Sequence, residues 1–198
     1  MDRRQATTAE TRARILTAAR ELLMASGVAG FSVEAVAQKA DVARMTVYYQ
    51  FGSKLGLLEA LFDELASQGG MEQLAGAFQR PDPLEALSAF IATFARFWAS
   101  DRLVMRRLRG LASVDPDLEQ GVRARDERRR QGARIILRRL AQEHGKPAPR
   151  SLDEMVDVLF TLTSFETFDT LAGPDRSPVD VAPLVDRLAR AALSLDQA

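Results

Sequence analysis

Residues Phe31 to Leu58 read FSVEAVAQKADVARMTVYYQFGSKLGLL, and the rest of the chain takes its meaning from them. Ser32 has the chemistry of a helix N-cap, and Glu34 in the following turn puts a carboxylate where the helix dipole favours one. Val33, Val36 and Ala37 then share one face at helical spacing. Ala40-Asp41-Val42 interrupts the pattern. A second short helix is expected from Arg44 to about Gln50, with Val42, Val47, Tyr48 and Phe51 turned inward. That leaves Arg44, Met45, Thr46, Tyr49 and Gln50 on the outer face. Phe51-Gly52-Ser53 makes the next break, and Ser53 can cap a further helix whose first residue is Lys54. A cation at a helix N-terminus works against the dipole, so Lys54 is easier to explain if an anion such as a phosphate docks at the same end.

Two short helices joined by so tight a turn have the spacing of a helix-turn-helix, whose second helix enters the DNA major groove. Side-chain chemistry then names the candidate DNA-binding residues. The Arg44 guanidinium can engage guanine O6 and N7 together. Met45 or Thr46 can touch a thymine methyl, Tyr49 and Gln50 can reach phosphate or base edges, and Lys54 is suited to phosphate. Tyr48 reads mainly as packing, with its hydroxyl free for a phosphate. Ser32, at the start of the first helix, completes the set.

The same stretch and the helix before it resemble the tetracycline-repressor (TetR) family of bacterial transcription regulators. The resemblance is carried by Arg14-Ile15-Leu16, Ala18-Ala19, Glu21-Leu22, Gly27, Ser32-Val33, Val36-Ala37, Ala40, Val42, Thr46-Val47-Tyr48, Phe51 and Ser53-Lys54, in order over roughly the first 60 residues. Three positions depart from the family's usual pattern. Asp41 stands where glycine is common, and it tolerates the left-handed conformation better than most residues. Ala43 stands where serine is common and brings no capping hydroxyl. Gly56 stands where an acidic residue is frequent and is expected to loosen the start of its helix. The resemblance implies a helical C-terminal domain holding a ligand pocket, last helices that pair with their copies into a four-helix dimer interface, and a palindromic operator in double-stranded DNA.

The whole chain sets wider bounds. At 198 residues it suits one domain or two small ones. It contains no cysteine, which excludes disulfides, thiolate metal sites and cysteine nucleophiles. No apolar run approaches the roughly 18 to 20 residues needed to span a bilayer. Met1-Asp2-Arg3-Arg4-Gln5-Ala6 lacks the apolar segment of a secretion signal, so a cytoplasmic protein without membrane partners is expected. Lysine plus arginine and aspartate plus glutamate balance at 27 each. Distribution matters more than the sum: residues 1–56 carry Arg3, Arg4, Arg12, Arg14, Arg20, Lys39, Arg44 and Lys54 against Asp2, Glu10, Glu21, Glu34 and Asp41. The excess of positive charge lies where the helix-turn-helix is.

Outward from that core, helical periodicity predicts an all-α chain of about nine helices with no sheet; the resemblance implies its division into a DNA-binding domain at residues 1–56 and a ligand-binding and dimerisation domain at 57–198. The first helix is expected to start at the capping-box pattern Thr7-Thr8-Ala9-Glu10 and to stop at Gly27. The helix from Lys54 to about Ala66 links the two parts and ends at Gly69-Gly70. Further helices are expected from Asp82-Pro83 to Ser100, Arg102 to Ser113, and Asp115-Pro116 to His144. One more runs from the capping box at Ser151 to Leu171, and the last from about Asp180 to Leu195 with Pro183 in its first turn.

Large aromatic and flexible side chains gather in the C-terminal part. Phe94, Phe97, Trp98, Met105, Phe160, Phe165 and Glu166 are the candidate pocket residues, a composition suited to an apolar or aromatic effector. Each of the apolar ones is individually also a natural core residue. Glu166 and Asp169 interrupt an apolar stretch, and three readings stand for them: counter-charge for a cationic ligand, interface hydrogen-bond pair, or solvated face. Leu152, Val156, Leu159, Leu184 and Leu188 are the candidate dimer contacts. The arginine run Arg123, Arg125, Arg128, Arg129, Arg130, Arg134, Arg138 and Arg139 is interleaved with Asp126 and Glu127 and reads as a solvated face with local ion pairs. The single histidine, His144, sits near an expected helix end. No metal-ligand cluster, phosphate-binding glycine loop or nucleophile elbow is present, so neither an enzyme, a cofactor nor a metal is expected. The alternative to a regulator is a helical small-molecule-binding or scaffold protein that has lost specific DNA binding.

Overall fold

The computed structural model describes residues 3–26, 30–143 and 151–195; Gly27 and His144 lie outside them. Among the described residues there are eleven α-helices, one 3₁₀ turn and no strand. The chain divides into two compact units, Met1–Leu65 with Leu103–Arg123, and Ala66–Arg102 with Ala124–Ala198.

The first unit holds α1 (Arg3–Ser26), α2 (Val33–Lys39), α3 (Arg44–Phe51), most of α4 (Lys54–Gln68), α7 (Arg102–Ala112) and the start of α8 (Pro116–Glu143). Its core is made of the residues that fall inward at helical spacing: Ile15, Ala19 and Leu23 on α1, Val36 on α2, Val47 on α3, and Leu57, Leu58, Leu61 and Leu65 on α4, all buried. The first helix begins at Arg3, one turn before the expected start at Thr7, and Thr11 Oγ1 donates to the Thr7 carbonyl at 2.9 Å as an ordinary helical neighbour. Arg, Gln and Ala at positions 3–6 all favour a helix, so the capping pattern at Thr7 is overridden by what precedes it.

In the second unit α6 (Pro83–Ala99) is the spine, packed by α5 (Leu74–Phe78), the 3₁₀ turn Met71–Gln73, α10 (Phe165–Ala172) and α11 (Pro178–Ala192). Asp82 caps α6 through Leu84 N–H at 2.8 Å, and Pro83 occupies the first turn, where a missing N–H costs nothing. A run of rings fixes the interior. Phe78 and Phe90 are 6.3 Å apart, Phe90 and Phe94 4.9 Å, Phe94 and Trp98 6.1 Å, and Trp98 and Phe165 5.6 Å. The short helix α5, absent from the expected set, is anchored by Phe78 at the end of this run.

Three expectations for this unit are corrected. The helix expected from Ser151 to Leu171 is two helices, α9 (Leu152–Leu162) and α10, because Ser164 caps a new start by accepting from Thr167 N–H at 3.2 Å. The break at Thr163 is held from a distance: Trp98 Nε1 donates to the Thr163 carbonyl at 3.0 Å, and Arg129 donates to the Phe160 carbonyl and to Thr163 Oγ1. Arg129 is therefore no member of a solvated face. It is 4 % exposed, and Asp126 accepts from it at 3.1 Å. Arg139 is likewise engaged, donating to the carbonyls of Phe78, Arg80 and Pro81 at 2.9, 2.6 and 2.9 Å and so closing the C-terminal end of α5. Arg123 with Glu119 at 2.6 Å keeps the local pairing expected of the run. The last helix starts at Pro178 behind a capping box of Ser177 and Asp180, which places Pro183 inside the helix rather than in its first turn.

Candidate functional site

The helix-turn-helix is built by local chemistry. Ser32 Oγ accepts from Ala35 N–H at 3.1 Å and starts α2. Asp41 takes φ 51°, the left-handed conformation the turn needs, and Val42 N–H returns to the Ala37 carbonyl at 3.0 Å. Ala43 leads into α3 with no side-chain cap, and Thr46 N–H closes the first turn onto its carbonyl at 2.8 Å. Val47 faces the core and Val42, Tyr48 and Phe51 are half-buried, as their spacing implied. Met45 and Tyr49, four residues apart, are 72 % and 87 % exposed, so a thioether and a phenol stand out on one face of α3. Arg44 is exposed beside them, and Thr46 and Gln50 are half-buried at the edges of that face.

The Arg44 guanidinium is not loose. One terminal nitrogen lies 2.7 Å from Glu34 Oε1, the other donates to Tyr48 Oη at 3.1 Å, and its carbon sits 5.3 Å from the centre of the Tyr48 ring. The Tyr48 hydrogen bond first, and the Glu34 carboxylate second, push its pKa further upward, so it is a permanent cation. Lys54, half-buried at the start of α4, lies 5.9 Å from the centre of the Phe31 ring and makes no ion pair with the described residues. Ser53 Oγ accepts from Gly56 N–H at 3.0 Å, capping α4 as expected.

Two residues outside the candidate set support this surface. Arg12 on α1 donates to the Gln50 carbonyl at 3.0 Å and stacks 4.3 Å from the centre of the Phe51 ring, tying the end of α3 to the first helix. Only its type, an arginine on a helix otherwise apolar on its inner side, pointed to it. Gly56 is no loosening of α4: a Cβ there would stand 2.0 Å from the Phe51 carbonyl oxygen, so only glycine allows the corner between α3 and α4 to close. Gly52, at φ 75°, turns the chain at the same corner.

The other candidates fall as follows. Phe94, Phe97, Trp98 and Phe165 are buried and packed ring against ring, Met105 is buried in the first unit, and half-buried Phe160 lies 3.9 Å and 4.3 Å from the guanidinium carbons of Arg129 and Arg130. Glu166 is exposed. Asp169 is engaged by Arg102, whose Nε donates to its carboxylate and whose second terminal nitrogen donates to its carbonyl at 2.6 Å, so it is a structural partner rather than a ligand's counter-charge. Val156 and Leu159 are fully buried within the protomer and have no area left for a second copy; Leu152 and Leu184 are half-buried and Leu188 is 39 % exposed. Hollows in the second unit lie along the outer side of α6. One of about 490 Å³ is lined by Gln73, Gly76, Ala77, Gln79, Arg80, Pro81, Ala89, Ala92, Thr93 and Arg96. None of the expected pocket residues lines it. Among the described residues no group of histidine and carboxylate side chains could hold a metal, and no helix is long and apolar enough to cross a membrane.

Comparison with known proteins agrees with this geometry. Residues 15–61 match the family described as bacterial regulatory proteins, tetR family. The HTH-type transcriptional regulator SrpR of Pseudomonas putida is 44 % identical over 52 residues, 26 % of this chain and 24 % of SrpR. The HTH-type transcriptional repressor BepR of Brucella suis biovar 1 (strain 1330) is 30 % identical over 102 residues, 51 % of this chain and 49 % of BepR. The chain thus spans between a quarter and a half of the length of these curated relatives. Among solved structures, the transcriptional regulator FadR from Bacillus subtilis in complex with stearoyl-CoA superposes with a TM-score of 0.72 at 21 % identity, over 89 % of this chain and 96 % of that one. NalD, the secondary repressor of the MexAB-OprM multidrug efflux pump in Pseudomonas aeruginosa, gives 0.70 at 20 % identity, over 94 % and 97 %. These two likenesses establish the fold. Over residues 15–61 the chain is similar to the tetR family of bacterial regulatory proteins, in the segment that holds the helix-turn-helix.

Proposed function

We propose that the protein is a homodimeric transcription regulator of the cytoplasm, a repressor that reads a palindromic operator with α3 and is released from it by a small effector. The observation that carries this reading is the outer face of α3, where Arg44, Met45 and Tyr49 stand exposed on a helix anchored from beneath by Val47 and from the side by Arg12. An exposed tyrosine and methionine beside the Arg44 cation make a mixed apolar and polar face, and a major groove offers methyl groups, acceptors and phosphates to all of them. SrpR and BepR, regulator and repressor by name, support DNA as that partner.

Dimerisation follows from recognition itself. One α3 spans a few base pairs, and two related by a two-fold axis read a palindrome. The surface we assign to it is the exposed side of α9 and α11 at Leu152, Leu184 and Leu188. Effector binding in the helical body would favour a dimer whose two α3 helices are spaced unlike successive major grooves, about 34 Å apart. The stearoyl-CoA of FadR, held by a chain of the same fold, supports an organic effector.

Binding of the purified protein to the DNA upstream of its own gene, against scrambled competitor at two salt concentrations, tests this reading. Selective binding that survives the higher salt is expected. Equal loss on both DNAs would leave only the phosphate term and favour the scaffold alternative, to which uncapped Ala43 lends its weight.

A further inference from the structure

Arg96 and Arg139 differ from most partly buried arginines of their unit in having no carboxylate partner among the described residues, and of the two it is Arg96 that lines a hollow. Arg102 is paired with Asp169, Arg129 with Asp126 and Arg190 with Asp186. Arg96, on α6, has only neutral acceptors: one terminal nitrogen donates to Gln73 Oε1 at 2.9 Å and to Thr93 Oγ1 at 3.0 Å. Its Nε is closed off from solvent with no acceptor, and among the described residues the side chain makes no ion pair. The guanidinium carries a charge that is held here at the expense of some hydration, without a counter-charge among the described residues.

The space around it is open. Arg96 and Gln73 line both the hollow of about 490 Å³ and an adjoining one of about 290 Å³, the latter completed by Gln68, Gly69, Gly70, Ala99, Ser100 and Val179. The larger lies within the roughly 300–1,000 Å³ of small-molecule sites. No carboxylate lines either hollow. A second arginine, Arg80, lines the larger, while Gly76, Ala77, Pro81, Ala89 and Ala92 give it low apolar walls. Small side chains on facing helices leave room that Leu or Phe would fill, and the amides of Gln73 and Gln79 add polar groups beside the cations.

We propose that this hollow is the effector site of the regulator and that it takes a small organic anion, a carboxylate or phosphate monoester on a flat apolar body, with Arg96 as the partner of the anionic group. The proposal rests on the effector reading above. The charge favours an anion, and the walls of glycine, alanine and proline favour an apolar remainder. A planar guanidinium binds carboxylate and phosphate alike through paired N–H donors, so the two head groups are separated by measurement.

The test is calorimetric titration of the full chain with benzoate, phenyl phosphate, inorganic phosphate and benzyl alcohol. At least one aromatic anion binds, benzyl alcohol does not, and Arg96→Gln weakens the anion at least ten-fold while keeping its thermal transition. Gly76→Leu abolishes binding by filling the hollow; a Cβ at Gly76 meets nothing within 4 Å, so the fold tolerates it. Benzoate against phenyl phosphate identifies the head group. Benzyl alcohol binding as tightly as the anions, anion affinity unchanged in Arg96→Gln, inorganic phosphate binding as tightly as phenyl phosphate, or no binding at all would each overturn the proposal. Anion binding that leaves DNA affinity unchanged would sink the effector reading and keep the site. A DNA response to either anion that survives in Arg96→Gln would sink the site and keep the reading.

Discussion

Arg44, the first residue of α3, is held 2.7 Å from Glu34, in the first turn of α2, so the side chain best suited to read guanine is steadied from the neighbouring helix. The pair is exposed on both sides and adds little to stability. Its effect is on choice. A carboxylate beside the recognition helix repels phosphate and holds the guanidinium in one posture, which disfavours its use as a general backbone contact. Glu34→Gln is therefore expected to tighten binding to scrambled DNA and to lower the preference for operator several-fold, measured by competition. Equal operator preference in both proteins would refute this role. Arg44→Ala should lose discrimination at one position of each half-site by about ten- to a hundred-fold.

On the proposed reading Lys54 contributes charge without sequence information. Lys54→Ala should weaken operator and scrambled DNA equally and reduce the slope of log affinity against log salt by roughly 0.9 for each phosphate that the lysine neutralises in the parent protein. A change in sequence preference instead would mean that Lys54 reads bases.

The corner between α3 and α4 depends on the absence of a side chain. Gly56→Ala would drive Cβ against the Phe51 carbonyl, where a separation of 2.0 Å leaves no room. The corner must open, and the expected results are a lower thermal midpoint and weaker DNA binding together, since α3 ends at Phe51. A midpoint equal to the parent's contradicts this.

How much of this was readable in advance depended on how local the determinants are. The caps at Ser32, Asp82 and Ser151 act within three residues, and each starts a helix where the sequence places it. The turn at Asp41 and the inward Val47 are equally local. The break between α9 and α10 was hidden because its carbonyls are taken by Trp98 and Arg129, residues distant in sequence that meet it only after folding. For the same reason the arginine run looked uniform, although Arg129 is enclosed and Arg123 is not. The need for glycine at position 56 comes from a backbone approach that no residue pattern announces. In the candidate site the exposure of Arg44, Met45 and Tyr49 was legible from helical spacing. Phe94, Phe97, Trp98 and Phe165 pack ring against ring, and a hollow nearby in the same unit is lined by small residues and Arg96, which carry no hydrophobic signal.

Arg129 gives the strongest prediction for stability. Its side chain is enclosed, bonded to Phe160 and Thr163 at the helix break and paired with Asp126. Arg129→Ala removes a donor from Phe160 and Thr163 together with the buried cation beside Asp126, and should cost about 3–5 kcal/mol, read as a loss of unfolding free energy in denaturant. Adding Asp126→Asn should cost little more, because both changes remove the same pair. A loss below about 1 kcal/mol, the worth of a surface pair, would contradict the burial.

Dimerisation is tested at the exposed side of α11. Leu188→Glu, alone or with Leu184→Glu, should shift the protein to monomers in sedimentation while its helical content stays unchanged, since neither side chain is fully enclosed in the protomer. An unaltered dimer would place the interface elsewhere.

The central claim is that α3 reads DNA sequence. Selection of binding sites from a pool of random duplexes, with the parent protein and Arg44→Ala in parallel, tests it most directly. The account predicts a palindromic motif whose half-sites lie about 34 Å apart, with one position in each half losing its preference in Arg44→Ala. Recovery of no motif above the starting pool, or the same motif undiminished in Arg44→Ala, would contradict it.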